Sequence, residues 1–226
     1  MSGGEGKGDK GCARAFWDGL NMKNNNYIGI LIALDGPNGS GKTTLRNSLK
    51  ENLINSGYDV CVTAEPTATE LGDYVREFAE THNGISLACL VACDRYEHIK
   101  NEIIPALEMG KIVITDRYIL SSLILQEMDG VETDFILNIN SEIIKPDLQI
   151  ALYADERVLQ ERLKKRDILT RFEKNNQSND ELFYMKKGIK KLECEGIEVL
   201  EIHNNTRLEK NVEQIVSYIK GRWRKN

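Results

Sequence analysis

The sequence predicts an α/β fold in three layers, about five parallel strands wrapped by helices, and three observations carry that expectation. Short apolar runs recur with helical patterns between them, a glycine-rich loop directly follows the first run and opens a helix, and 226 residues suffice for one large α/β core without demanding two. The strand candidates are residues 28–34, 59–64, 111–115, 148–153 and 197–202. Alternation of this kind implies parallel pairing, with ligands gathered at the carboxyl ends of the strands.

The loop after the first strand, Gly36-Pro37-Asn38-Gly39-Ser40-Gly41-Lys42-Thr43-Thr44, fits the phosphate-binding pattern G-x-x-x-x-G-K-[ST]. Gly36, Gly39 and Gly41 let the backbone wrap tightly enough for its N–H groups, including those of Asn38, Ser40 and Thr44, to point at phosphate oxygens. A helix beginning near Lys42 adds its positive dipole end. Lys42 supplies a point charge to the outer phosphates, and the Thr43 hydroxyl suits magnesium. Leu45, Leu49 and Leu53 recur at helical spacing and Gly57 stands at the C-cap, which supplies the strand, loop and helix context that this motif requires. The chain therefore reads as an ATP-type nucleotide binder with a P-loop NTPase fold.

Composition narrows the class. Lys plus Arg number 30 against 35 Asp plus Glu, a net charge of −5 that argues against nucleic-acid binding as the main function. Five cysteines form an odd, unpatterned set, which suggests reduced thiols in a cytoplasmic protein. No apolar run has the length of a membrane span. Residues 1–26 lack periodicity and read as a disordered leader or extension, leaving 27–226 as a single kinase-type domain.

The ligand-side rule directs attention to the residues just after each strand. Glu65-Pro66-Thr67 follows the second and Asp116-Arg117-Tyr118 the third. Asp116 is placed to hold a magnesium-bound water beside Thr43, and Arg117 to grip a second phosphate; the bland alternatives are a helix N-cap and a solvated charge. Arg95 interrupts the apolar early part of a helical pattern over 86–107 and needs a partner, either a structural carboxylate or a ligand. His98, next to charged turns, reads as a surface or boundary histidine. Arg162, Lys164, Lys165, Arg166 and Arg171 form a basic run after the fourth strand, with Asp155 as its N-cap; it is either a solvated helix face or a phosphate-clamping helical lid over about 162–175.

Taken together, the phosphate loop, Glu65-Pro66-Thr67 with Leu71-Gly72, Asp94-Arg95-Tyr96-Glu97-His98, Asp116-Arg117-Tyr118 with Ser121, Ser122 and Gln126, Pro146-Asp147-Leu148, and Arg171-Phe172-Glu173 resemble the thymidylate kinase family in order and spacing. The resemblance covers about residues 27–220. It implies transfer of the γ-phosphoryl group of ATP to a nucleoside monophosphate, dTMP by default, with Mg2+, in nucleotide biosynthesis, by an enzyme that is typically a homodimer. Carried over by position, Arg95 would contact the acceptor base, Arg117 its phosphate and Gln126 the base or sugar region. Glu65, Val91 and Ser122 would complete that pocket, and Arg162, Arg166 and Arg171 would serve as catalytic lid arginines. Residues 203–206 match the loop that lies by adenine.

The departures from the family fall on the acceptor side. Asn38 stands where the family usually has an acid that reaches the sugar 3′-hydroxyl, Val91 where a phenylalanine stacks on thymine, Leu125 where a tyrosine is associated with excluding a 2′-hydroxyl, and Ala64 where an arginine precedes Glu-Pro. Restoring the acid with Asn38→Asp or the ring with Val91→Phe is expected to improve use of dTMP. The alternatives left open are another nucleotide acceptor, a deoxynucleoside kinase with Glu65 as general base on a 5′-hydroxyl, and a non-enzymatic ATP-binding regulatory protein.

Overall fold

A computed structural model of the chain describes residues 22–164, 171, 178–205 and 208–223. Five strands, β1 (Ile30–Asp35), β2 (Val60–Ala64), β3 (Ile112–Asp116), β4 (Leu148–Tyr153) and β5 (Val199–His203), form one sheet in the order β2-β3-β1-β4-β5. Every pairing is parallel, with Leu34 level with Asp116 and Asp35 with Ala151. All five anticipated strands are present, with boundaries shifted by one or two residues; Ile28, counted into the first, is exposed.

Alternation along the strands builds two cores. Ile32 and Leu34 face Leu45, Leu49 and Leu53 of α1 (Lys42–Asn55) and Val212, Ile215 and Ile219 of the last helix, α9 (Leu208–Arg222). Leu31 and Ala33 face the other way, toward α3 (Gly84–His98), α5 (Ile119–Met128) and α8 (Ser178–Cys194). Strands buried on both faces read as continuous apolar runs, which is why periodicity located them without showing which face each residue serves. Helices α2 (Glu70–Thr81), α6 (Thr133–Ile139) and α7 (Glu156–Leu163) fill the remaining connections.

The helical stretch expected over 86–107 contains a local widening. α3 runs through a π-helical turn, Ile99–Ile103, into α4 (Ile104–Glu108). Pro105 lies in the first turn of α4 and has no N–H to donate to the preceding turn, so the ladder changes spacing just ahead of it.

Two expectations are corrected. The leader does not extend to residue 26: Met22 is buried in the core, Lys23 bridges to Ile144, and Asn25 Nδ2 donates to Asp147 Oδ2 at 2.6 Å. Residues 1–21 lie outside the described residues. His98 is not a surface residue; it is 2 % exposed, with Nε2 2.7 Å from Thr63 Oγ1 and Nδ1 3.1 Å from Glu65 Oε1. The charged residues that suggested a surface position lie on other faces of the helix, where Glu97 and Lys100 are exposed.

Candidate active site

The loop between β1 and α1 closes because two positions tolerate no side chain. A Cβ on Gly36 would fall 2.3 Å from the Leu152 carbonyl oxygen, and Gly41 takes a φ of 97° with Asn204 Nδ2 pressed against it. Lys42 starts α1 and folds back over the loop, donating to the carbonyls of Gly36 at 2.8 Å and Pro37 at 3.0 Å. Burial, with Arg117 close by, lowers its pKa to about 8, against the pull of the Asp116, Glu181 and Asp35 carboxylates. A charge held at this cost is stabilised when an anion arrives.

Parallel register brings the end of β3 beside this loop. Asp116 Oδ2 lies 3.2 Å from Thr43 Oγ1 and 3.6 Å from an Arg46 guanidinium nitrogen. Arg117 follows with a φ of 76°, a left-handed conformation that is unfavourable for a residue with a side chain, and its guanidinium reaches Asn38 Oδ1 at 2.7 Å and Ser121 Oγ at 3.4 Å. Asn38, Lys42, Thr43, Thr44, Glu65, Asp116 and Arg117 line one cavity of about 280 Å³. The three sets of residues after β1, β2 and β3 thus converge as the ligand-side rule requires; the N-cap position of α5 falls on Tyr118 and not on Asp116, and Arg117 is held by Asn38 and Ser121 and is not a solvated charge.

Thr43 and Asp116 offer hard oxygen donors within a few ångströms of one another, a set that suits magnesium, which takes one or two protein oxygens and completes its shell with phosphate and water. Among the described residues no group of three or more His, Cys, Asp or Glu could hold a metal by itself.

Behind the cavity lies a buried polar network. Arg95, 1 % exposed, donates to Glu65 Oε2 at 2.8 Å, Asn140 Oδ1 at 2.7 Å, the Tyr118 carbonyl at 3.1 Å and Ser122 Oγ at 2.9 Å. The carboxylate anticipated as a partner for Arg95 is that of Glu65. Both Glu65 oxygens are engaged, the second by His98. Gln126, one helical turn after Ser122, is buried with Oε1 lacking any hydrogen-bond partner. Val91 is half-buried one turn before Arg95.

Among the described basic residues after β4, Arg162 and Arg171 make the following contacts, with groups other than the side chains that line this cavity. Arg162 donates to the carbonyls of Gly39 at 3.2 Å, Ser40 at 3.0 Å and Asn204 at 3.3 Å, bracing the loop from outside, and Asn204 Nδ2 adds a bond to the Ser40 carbonyl at 2.7 Å. Arg171 makes two parallel bonds to Asp129, at 2.8 and 2.7 Å, and donates to the Ala79 carbonyl. Arg166, Phe172, Glu173 and most of the anticipated lid lie outside the described residues, as does Thr206.

Three residues in contact with the site escaped sequence reasoning. Asp35, the last residue of β1, is fully buried and accepts from the Tyr118 and Ser121 backbone N–H groups at 3.0 Å, from the Ser121 hydroxyl, and from Gln149 Nε2 at 2.9 Å. It thereby caps α5 and ties the phosphate-loop strand to the helix that carries Ser122 and Gln126; burial raises its pKa. Glu181, 3 % exposed on α8, accepts from the Asn38 backbone and side-chain amides. Arg46 follows Lys42 by one turn, a spacing that could have drawn attention to it.

The chain is similar to known proteins over most of its length. The thymidylate kinase family profile matches residues 34–215. The chain is 40 % identical over 154 residues to a probable thymidylate kinase of Pyrococcus horikoshii, covering 65 % of this chain and 75 % of that protein. It is 42 % identical over 144 residues to a thymidylate kinase of Caldicellulosiruptor saccharolyticus, covering 60 % and 70 %. A probable thymidylate kinase of Pyrobaculum calidifontis is 40 % identical over 147 residues, with coverage of 64 % and 74 %.

Proposed function

The chain belongs to the thymidylate kinase family, phosphotransferases that pass the γ-phosphoryl group of ATP to dTMP, and we propose that it runs this transfer with Lys42 and Arg117 as the cations around the moving group and Thr43 and Asp116 as the magnesium site. The observation that carries the assignment is the convergence of Lys42, Thr43, Asp116 and Arg117 on one cavity.

Phosphoryl transfer passes through a loose transition state, so the protein's work is alignment and charge neutralisation. The loop amides and Lys42 hold the donor phosphates, and Arg117, facing them across the cavity, holds the acceptor phosphate in line. Thr43 and Asp116 would hold magnesium, which would supply neutralisation of the donor phosphates' negative charge. The acceptor phosphate is already anionic near neutral pH and needs no general base. Glu65, the base that a nucleoside kinase would use, has both oxygens engaged by Arg95 and His98.

For the acceptor base, the unpartnered Gln126 Oε1 supplies a buried acceptor suited to a ring N–H. Ser122, one turn before Gln126 on α5, accepts from Arg95 at 2.9 Å, and Val91 lies one turn before Arg95 on α3, which supports placing the base near these two helices. The enzyme acts in the cytoplasm as one kinase domain, in keeping with free thiols at Cys61, Cys89 and Cys93, and pairs as a homodimer, in keeping with exposed Tyr74 and Ile85 on neighbouring helices. No helix among the described residues is long and apolar enough to cross a membrane.

The test is ADP release with ATP and magnesium across dTMP, dUMP, the other monophosphates and thymidine, with Lys42→Ala as the blank. Preference for dTMP is expected; turnover of thymidine alone would replace this assignment with a nucleoside kinase.

A further inference from the structure

Glu181 enters the site from α8, 143 residues along the chain from its partner. Its Oε2 accepts from the Asn38 backbone N–H at 2.7 Å and its Oε1 from Asn38 Nδ2 at 3.2 Å. Those bonds turn Asn38 Oδ1 the other way, where a terminal nitrogen of Arg117 donates to it at 2.7 Å. A carboxylate only accepts and a guanidinium only donates, so each end of the Asn38 amide has one compatible neighbour and the flip is fixed. Arg117 needs such a hold: its backbone stands at a φ of 76°, and its other side-chain bond, to Ser121 Oγ, is long at 3.4 Å.

We propose that Glu181 is a positioning residue that, through Asn38, sets the Arg117 guanidinium for the acceptor phosphate. The inference rests on the proposed dTMP kinase reading and deepens it. The negative charge that loop position 38 lacks is supplied from α8, one hydrogen bond further from Arg117. This reverses the sequence expectation for Asn38→Asp: with Glu181 in place, the single change sets two carboxylates against each other. Glu181→Gln alone sets an amide donor against a donor. Made together, Asn38→Asp and Glu181→Gln exchange the two groups and restore every pairing. The carboxylate, now on the loop, accepts from the amide, now on α8, on one side and from Arg117 on the other.

The experiment compares wild type, N38D, E181Q and the double variant by steady-state kinetics with dTMP and ATP varied separately, alongside thermal unfolding. Each single change is expected to lower kcat/KM for dTMP by about tenfold or more, with a smaller loss in kcat/KM for ATP. The double variant is expected to return to within about threefold of wild type. A double variant as poor as the two single losses combined would overturn the proposal. So would losses that fall equally on dTMP and ATP and track Tm, the mark of a purely structural contact. If wild type turns over another monophosphate and not dTMP, the dTMP reading falls by itself, and the swap is judged on that acceptor by the same two outcomes.

Discussion

Arg95 Nε lies 2.8 Å from Glu65 Oε2 with both side chains shut away from water, so the pair at the back of the cavity is a buried ion pair. Removing one member strands the other. Glu65→Ala is expected to cost about 3–5 kcal/mol, roughly 6–20 °C in Tm for a domain of this size. Glu65→Leu combined with Arg95→Met, which removes both charges, is expected to cost less than the sum of the two single changes. Thermal unfolding of the three proteins decides it; strict additivity would mean that the pair is not coupled.

Lys42 presents the opposite balance. Its charge is disfavoured by burial and by Arg117, which lower its pKa to about 8. Lys42→Ala is expected to lower kcat by about 10²–10³-fold while leaving Tm unchanged or raised. A large fall in Tm would show that the two loop carbonyls, at 2.8 and 3.0 Å, make this lysine a structural clamp in its own right.

Asp35 gives a pH signature. Burial raises its pKa above the usual value of 3.8, so the folded state binds its proton more tightly than the unfolded state does. The stability it contributes is complete below the unfolded pKa and is lost as pH climbs through the raised folded value. Asp35→Asn removes this titration and sets an amide donor against Gln149 Nε2, a mismatch of about 1–3 kcal/mol. The Tm advantage of wild type over Asp35→Asn is therefore expected to be largest at the acid end of the folded range and to narrow steadily as pH rises. A widening advantage would contradict the assigned sign.

These residues mark where the sequence was legible and where it was not. Lys42, Thr43, Asp116 and Arg117 could be named because each lies at or beyond the end of β1 or β3, at the same sheet edge, and strand ends are visible in an apolar run. Glu181 could not, because it faces the site from the first turn of an amphipathic helix, where acids are common, and nothing local separates a carboxylate aimed inward from one in solvent. His98 failed for the same reason in reverse: its charged neighbours occupy other helix faces. Met22 to Asn26 lack periodicity because a strap held by backbone bonds to 143–145 needs none.

Val91 tests the acceptor pocket. It lies four residues before Arg95 on α3, hence on the same helix face, and is half-buried. Val91→Phe offers a ring to a base and is expected to raise kcat/KM for dTMP by about fivefold, the equivalent of about 1 kcal/mol of aromatic contact. Kinetics on dTMP and dUMP check it; a fall for both would mean that the position is already filled to capacity by its neighbours.

Arg117 separates strain from chemistry. Its φ of 76° is one that glycine adopts freely and alanine does not. Arg117→Gly and Arg117→Ala both remove the guanidinium, and both are expected to lower kcat/KM for dTMP by about 10²-fold or more. They differ in the backbone. Glycine relieves the left-handed conformation, which costs a residue bearing a Cβ about 1–2 kcal/mol, whereas alanine retains it. Glycine's greater unfolded-state freedom offsets part of this gain, so Arg117→Gly is expected to unfold about 2–4 °C above Arg117→Ala. Equal activities with that difference in Tm would locate the strain in the backbone and the function in the side chain; an alanine variant as stable as the glycine variant would show that the chain leaves this conformation once Asn38 no longer holds the guanidinium.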